Sequence, residues 1–244
     1  MSTSTDVNKA SSASGERTVV RIGVFIPVGC QMLDAACIDT FGSMSYEYLS
    51  TLSKFLPSTI IDAAPSVEIH YIGAQAGEPI SLTSNANIVA TNHYSDPEVA
   101  PGKLDIVLVP GPDPSLAFPE GAVDWLRRQG TTEGVDILSV CTGIFLCGAA
   151  GLLKGKTICG PRGGQELIKQ RGFEPKCMRG HELRWIQDGN LWSSGGVTNG
   201  NDLVAAYCRA SPERFPPAVV KVACEIVDVG DRPQEYPKVE GLLL

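Results

Sequence analysis

Asp136-Ile-Leu-Ser-Val-Cys141-Thr-Gly-Ile-Phe-Leu-Cys-Gly-Ala-Ala-Gly151 is the stretch that decides the fold. Residues 135–140 form a short apolar run with the length and β-branched content of a buried strand. Cys141, Thr142 and Gly143 follow, then a run rich in Ala, Gly and Leu that suits a closely packed helix ending at Gly151. Strand, sharp turn and helix hold the turn residue out at the top of a sheet, close to the free N–H groups of the helix. The nucleophile elbow of serine hydrolases works in this way. For a cysteine, a helix N-terminus favours thiolate over thiol. A buried structural cysteine is the alternative reading of Cys141. The turn favours the functional one, since no other cysteine of the eight sits at a comparable junction.

Ser139-Val-Cys-Thr-Gly143, followed by Gly148-Ala-Ala-Gly-Leu-Leu-Lys-Gly-Lys156, closely resembles the nucleophile region of the ThiJ/PfpI superfamily. It is most similar to the branch that contains isocyanide hydratase. The resemblance spans roughly residues 19–227. It implies the fold shared with class I glutamine amidotransferases: an α/β, flavodoxin-like three-layer sandwich around a central, mostly parallel sheet. It also implies a small-molecule substrate and a homodimer.

The totals agree with one large α/β domain: 244 residues, of which 43% are hydrophobic. Residues 1–17 read as a disordered Ser/Thr-rich tail, 18–228 as the domain and 229–244 as a Pro-containing C-terminal tail whose ordered part lies across a subunit. A net charge of −7 and a pI near 5.0, with no basic cluster, argue against nucleic acid. No apolar run reaches the ~18 residues of a membrane span, and the polar N-terminus does not read as a secretory signal. The eight cysteines lack CxxC pairs or zinc spacing and read as free thiols in a reducing compartment, the cytoplasm. No His/Cys/Asp cluster has ligand spacing, so neither metal nor cofactor is expected.

Along the chain, residues 19–26 read as the first strand and 35–55 as one helix, with Asp34 at its N-cap. Residues 57–65 read as a linker, 67–73 as the second strand, and 78–91 as a pair of short strands. His93 falls on a loop. The apolar run 104–110 is a strand that delivers Gly111-Pro-Asp-Pro114. Residues 118–129 form a helix stopped by Gly130, with Trp125 in the core. After the elbow come a short strand over 155–160, a helix over 165–170, and a hairpin turning at Asp188-Gly-Asn190. Gly195-Gly-Val-Thr-Asn-Gly-Asn-Asp202, which resembles a superfamily run, leads into a helix through Cys208. A last helix spans 217–227.

A thiolate nucleophile needs a lowered pKa, a proton source or sink, and donors for developing charge. Cys141 at the helix start answers the first. Asp34 answers the second, since the superfamily keeps an acid beside its nucleophile; a helix cap is the plain alternative. For the third, the superfamily uses backbone N–H groups of the residue after the cysteine and of a Pro-Gly-Gly turn, here Thr142 and Gly111. Pro112 replaces the second glycine and has no N–H to give. Asp113, Arg162 and Ile144 are the candidate substrate contacts, although Pro-Gly-Pro-Asp-Pro also reads as an ordinary turn and Arg162 as a surface arginine. Many relatives carry a histidine where this chain has Pro161 and Arg162. With only His70, His93 and His181 available, a cysteine–histidine pair is not supported. The expected activity is a cysteine-dependent lyase or hydratase acting on a small electrophilic metabolite through a thio-adduct, either isocyanide hydratase-like or a rearranging biosynthetic variant. The alternatives are a glyoxalase or deglycase, and a non-catalytic redox-responsive or ligand-binding member.

Overall fold

A computed structural model of the chain describes residues 17–237. All but the last residue of the expected N-terminal tail, and residues 238–244, lie outside the described residues. In chain order the elements are β1 (Val19–Phe25), α1 (Met32–Ala36), α2 (Ile38–Gly42), α3 (Tyr46–Thr51), α4 (Ser58–Ala63) and β2 (Ser66–Gly73). Next come β3 (Pro79–Ser81), β4 (Asn87–Val89), β5 (Asn92–His93), β6 (Ile106–Val109), α5 (Glu120–Thr131), β7 (Asp136–Val140) and α6 (Gly143–Ala149). The last part holds β8 (Thr157–Ile158), α7 (Gln165–Gln170), β9 (Cys177–Met178), β10 (Trp185–Asp188), β11 (Leu191–Ser194), α8 (Asn199–Ala210) and α9 (Pro217–Val227).

Seven strands form the central sheet in the order β10-β11-β7-β6-β1-β2-β5. Only the β10–β11 pair is antiparallel. The innermost strands read as continuous apolar runs because both faces are covered. Val24, Leu108, Leu138 and Val140 pack with Phe41, Leu203, Tyr207 and Val220 on one face. Val107, Val109 and Ile137 pack with Trp125, Leu126, Ile144 and Phe145 on the other. The result is the expected three-layer α/β sandwich, and it places Cys141 at the carboxyl end of a central strand.

Several elements differ from their sequence expectation. The single helix over 35–55 is three short ones. Cys37 separates α1 from α2, and Ser45 starts α3 afresh by capping the Tyr48 N–H at 3.1 Å. The linker over 57–65 holds α4, which buries Ile61. Gly130 lies inside α5 instead of stopping it, because the bare α-carbon lets Leu152 pack there; a Cβ would come within 2.6 Å of Leu152. His93 belongs to the edge strand β5, paired with Gly73. Apart from these differences, the described part of the C-terminal tail makes contacts within its own chain, with Glu235 bridged to Leu183.

The start of β7 is tied to the layer above it by charge. Asp136 accepts from Tyr207 at 2.9 Å and pairs with Arg214 at 2.5 Å. Both charged side chains are about four-fifths buried, so removing one leaves the other poorly solvated. We expect Arg214→Met to lower unfolding free energy by roughly 1–3 kcal/mol, a partly exposed pair being worth less than a fully buried one. Urea titration checks this, and an unchanged midpoint contradicts it.

Candidate active site

β7 ends at Val140 and α6 begins at Gly143, so Cys141 occupies the turn with φ of 56°. That left-handed conformation is uncommon for a residue with a side chain. Two contacts hold it: the Cys141 N–H donates to the Gly195 carbonyl at 3.2 Å, and the Thr142 hydroxyl donates to the Pro112 carbonyl at 2.7 Å. Gly143 is required by space, since a Cβ there would collide with the Val109 carbonyl.

Asp34 is not the helix cap. Gln31 holds that position, and Asp34 is the third residue of α1, with its side chain turned into the protein and 0% exposed. Oδ2 accepts from the Gly111 N–H at 3.1 Å. Oδ1 is buried without a partner at conventional hydrogen-bond geometry. The Cys141 thiol and the Val197 N–H also act on the carboxyl. Burial is the largest influence and pushes its pKa up to about 7, against the pull of the Cys141, Gly111 and Val197 donors.

The elbow alone was expected to favour thiolate. Instead, burial first and the Asp34 charge second push the Cys141 pKa up to about 11, while the Val197 and Thr142 N–H groups pull it down. The two groups titrate as a pair. One proton leaves near 7, and the second is held to about 11, first by burial and then by repulsion between two negative charges in this dry space. Above about pH 7 the pair carries one charge and one proton. That charge rests on Asp34 and that proton on Cys141; the form with the proton moved across, Asp34–OH beside a thiolate, is made more accessible by the Val197 and Thr142 N–H groups at the sulfur.

The Gly111 N–H, expected to receive substrate charge, is occupied by Asp34. A Cβ at Gly111 would strike both Asp34 Oδ2 and Thr142 Oγ1, so this glycine is where two parts of the site are packed together. Asp113 stands at the exposed lip of the site, its carboxylate bound to the Ser115 N–H and hydroxyl at 2.8 and 2.7 Å. Those bonds hold its pKa below the usual carboxylate value.

The cleft over Cys141 measures about 450 Å³ and is walled by Val28–Gln31, Ser81–Thr83, Gly111–Pro114 and Thr142. A cavity of similar size, about 470 Å³, lies between α8, α9 and the tail and contains none of these groups. Two expected substrate contacts lie away from the cleft. Ile144 is 0% exposed and points from α6 into the core. Arg162 stacks on the Tyr236 ring, 4.0 Å from its centroid. None of the three histidines lines the cleft: His70 bonds Asn92, His93 bonds Ser95 and His181 is exposed.

Val197 was missed. It holds φ of 45°, and its N–H faces the Cys141–Asp34 pair. Its one signal in the sequence is a pair of glycines before a β-branched residue at a helix start. Among the described residues, no group of three or more His, Cys, Asp and Glu side chains is placed to hold a metal. No described helix is long and apolar enough to cross a membrane.

The buried carboxyl makes stability depend on pH. Unfolded, Asp34 loses its proton near 4; folded, it keeps it to about 7. In that window the native state binds more protons, so stability falls as pH rises and the loss is complete above about 7. The full effect is on the order of 4 kcal/mol. An asparagine in its place would keep the shape without the charge. We expect Asp34→Asn to melt near wild type at pH 4 and clearly above it at pH 8. Equal melting temperatures at both pH values would contradict a buried Asp34 charge.

Residues 43–210 match the DJ-1/PfpI family. Isonitrile hydratase of Pseudomonas putida is 28% identical over 163 residues, covering 66% of this chain and 67% of that protein. A ThiJ/PfpI family protein from Pseudomonas syringae has a similar structure, with TM-score 0.63, 19% identity, and coverage of 93% of this chain and 84% of that one. DJ-1beta of Drosophila melanogaster also gives TM-score 0.63, at 14% identity, covering 87% of this chain and 98% of that one. With the sheet order, the elbow and a match over more than half its length, this chain belongs to the DJ-1/PfpI family.

Proposed function

We propose that the chain is a cysteine-dependent hydratase of small isocyanides or closely related electrophilic carbon compounds, working without a cofactor. The observation that carries this reading is the Cys141–Asp34 pair, sharing one proton at the base of a cleft with no histidine in its walls. The isonitrile hydratase relative supports the substrate class. A cleft of about 450 Å³ suits a small molecule.

The chemistry follows from the shared proton. Cys141 Sγ forms a bond to the terminal carbon of R–N≡C while that carbon takes the proton held by Asp34, giving a thioimidate, S–CH=N–R. Asp34 is now a carboxylate and takes a proton from water as the water oxygen adds to the same carbon. The nitrogen receives that proton. The C–S bond then breaks as the hydroxyl proton returns to Asp34, releasing the formamide R–NH–CHO and restoring the thiolate. Water is the only co-reactant. General acid–base help of this kind is worth roughly 100- to 10,000-fold in rate. Asp113, at the lip of the cleft, is proposed as a substrate contact at its entrance.

The proposed assembly is a homodimer, in keeping with the resemblance, and the proposed setting is the cytoplasm, where eight free thiols persist. A monomer by light scattering at micromolar concentration contradicts the first.

Purified protein incubated with an alkyl isocyanide should yield the formamide, Cys141→Ser should yield none, and methylglyoxal should be left unchanged. Methylglyoxal turnover without isocyanide turnover would support the glyoxalase reading, and inertness toward both a redox or ligand-binding role. Replacing His70, His93 and His181 singly by Gln should keep activity within about tenfold. A larger loss at one of them, with the fold intact, would restore a cysteine–histidine mechanism.

A further inference from the structure

After α9, Asp228 turns the chain with φ of 53°, and the tail runs back to the first turn of α8. Arg232 pairs with Asp202 at 2.5 Å, donates to the Thr198 carbonyl at 2.7 Å, and reaches the Thr198 hydroxyl at 3.2 Å. Asp202 is 3% exposed, so one side of this ion pair is buried. Further on, the Tyr236 hydroxyl accepts from Asn199 Nδ2 at 2.7 Å. It also fits the bare α-carbon of Gly195, where a Cβ would lie 2.8 Å from it. Tyr236 is itself held. Its N–H donates to the Glu182 carbonyl at 2.9 Å, and the Arg162 and Arg184 guanidiniums lie over its ring.

The tail therefore grips residues 195, 198, 199 and 202, on both sides of Val197. Val197 keeps φ of 45°, which a β-branched residue adopts only when its surroundings force it. The same turn supplies the Gly195 carbonyl that accepts the Cys141 N–H. One side of the turn touches the nucleophile, and the other touches the tail.

We propose that the tail segment 228–237 is a strap that holds the turn 195–197 in its strained form, and that Arg232 and Tyr236 are positioning residues for Cys141 acting through that turn. The proposal rests on the reading of Cys141 as the nucleophile. Without the strap, Val197 relaxes toward negative φ and its N–H rotates off the Cys141–Asp34 pair. Charge on the sulfur then loses a donor, so the thiolate forms at higher pH. The other groups around the pair are the Cys30 and Cys37 thiols and the Thr142 N–H. Arg232 and Tyr236 bond none of them.

The test is the pH dependence of iodoacetamide alkylation at Cys141, read by peptide mass spectrometry in the full-length chain, with the exposed Cys177 as internal reference. Arg232→Ala and Tyr236→Phe should each slow Cys141 alkylation at pH 7 by roughly three- to tenfold, the worth of about one hydrogen bond. They should raise its midpoint pH and leave Cys177 unchanged. Arg232→Lys, which keeps the pairing charge, should recover part of the effect. Wild-type rates and midpoints in both variants would overturn the strap. If Arg232→Ala fails to fold, Tyr236→Phe decides, since it removes one oxygen only. No substrate enters this readout. A protein inert to isocyanides but shifted in these variants would refute the hydratase and keep the strap; turnover with unshifted variants would do the reverse.

Discussion

One negative charge shared by two buried groups is the constraint on which the rest of the site depends. A carboxyl and a thiol in a dry space cannot both ionise. Left alone, burial would neutralise them both. The chain instead directs backbone N–H groups at the pair, from Gly111, Thr142 and Val197. These dipoles are fixed by the fold and need not reorganise when charge moves, which is the condition for electrostatic help in a reaction. The cost appears as stability lost above the carboxyl pKa. A chain selected for stability alone would place asparagine where Asp34 stands.

The backbone around the pair is correspondingly specific. Cys141 and Val197 both hold positive φ, and Gly111 and Gly143 occupy places where a Cβ would meet a neighbouring oxygen. Strain of this kind survives only where surrounding packing over-determines it. Here the packing comes from both faces of the sheet: α6 docks its fully buried side chains on one, and α8 docks Leu203, Val204 and Tyr207 on the other. The two helices start within one turn of the pair, so the core positions the chemistry directly.

The fold was legible because its central strands announce themselves. Residues 104–110 and 135–140 are too continuously apolar to be half-exposed, and each ends in a turn rich in Gly or Pro. The elbow was legible for the same reason. Short elements were not: α4 and β5 are held by tertiary contacts that local pattern does not encode. The helix over 35–55 broke because Ser45 caps a new start, a choice visible only once Tyr48 lies above it. Asp34 was found through the resemblance, but the reason it keeps a proton was not legible. Burial dominates, and burial of a single side chain is not written in its neighbours. Ile144 and Arg162 sit near the right motifs in sequence but face the core and the tail, since helical phase decides which way a side chain turns.

The donors left free for substrate narrow the chemistry. An acyl-transfer site needs N–H groups aimed where an oxyanion will form. Here the Gly111 N–H is taken by Asp34, Pro112 has none, and the Thr142 N–H acts on the sulfur. The Asp113 N–H remains, but on an exposed turn beyond Pro112. A substrate that develops charge on oxygen would find little preorganised to receive it. Addition of a thiolate to an isocyanide develops its charge on carbon, and the remedy for charge on carbon is a proton. The group positioned beside the proposed nucleophile, Cys141, is a carboxyl that keeps its proton to about 7. Pro112, which looked like a defect in an oxyanion hole, is tolerated by the proposed mechanism, which delivers a proton instead of stabilising an oxyanion.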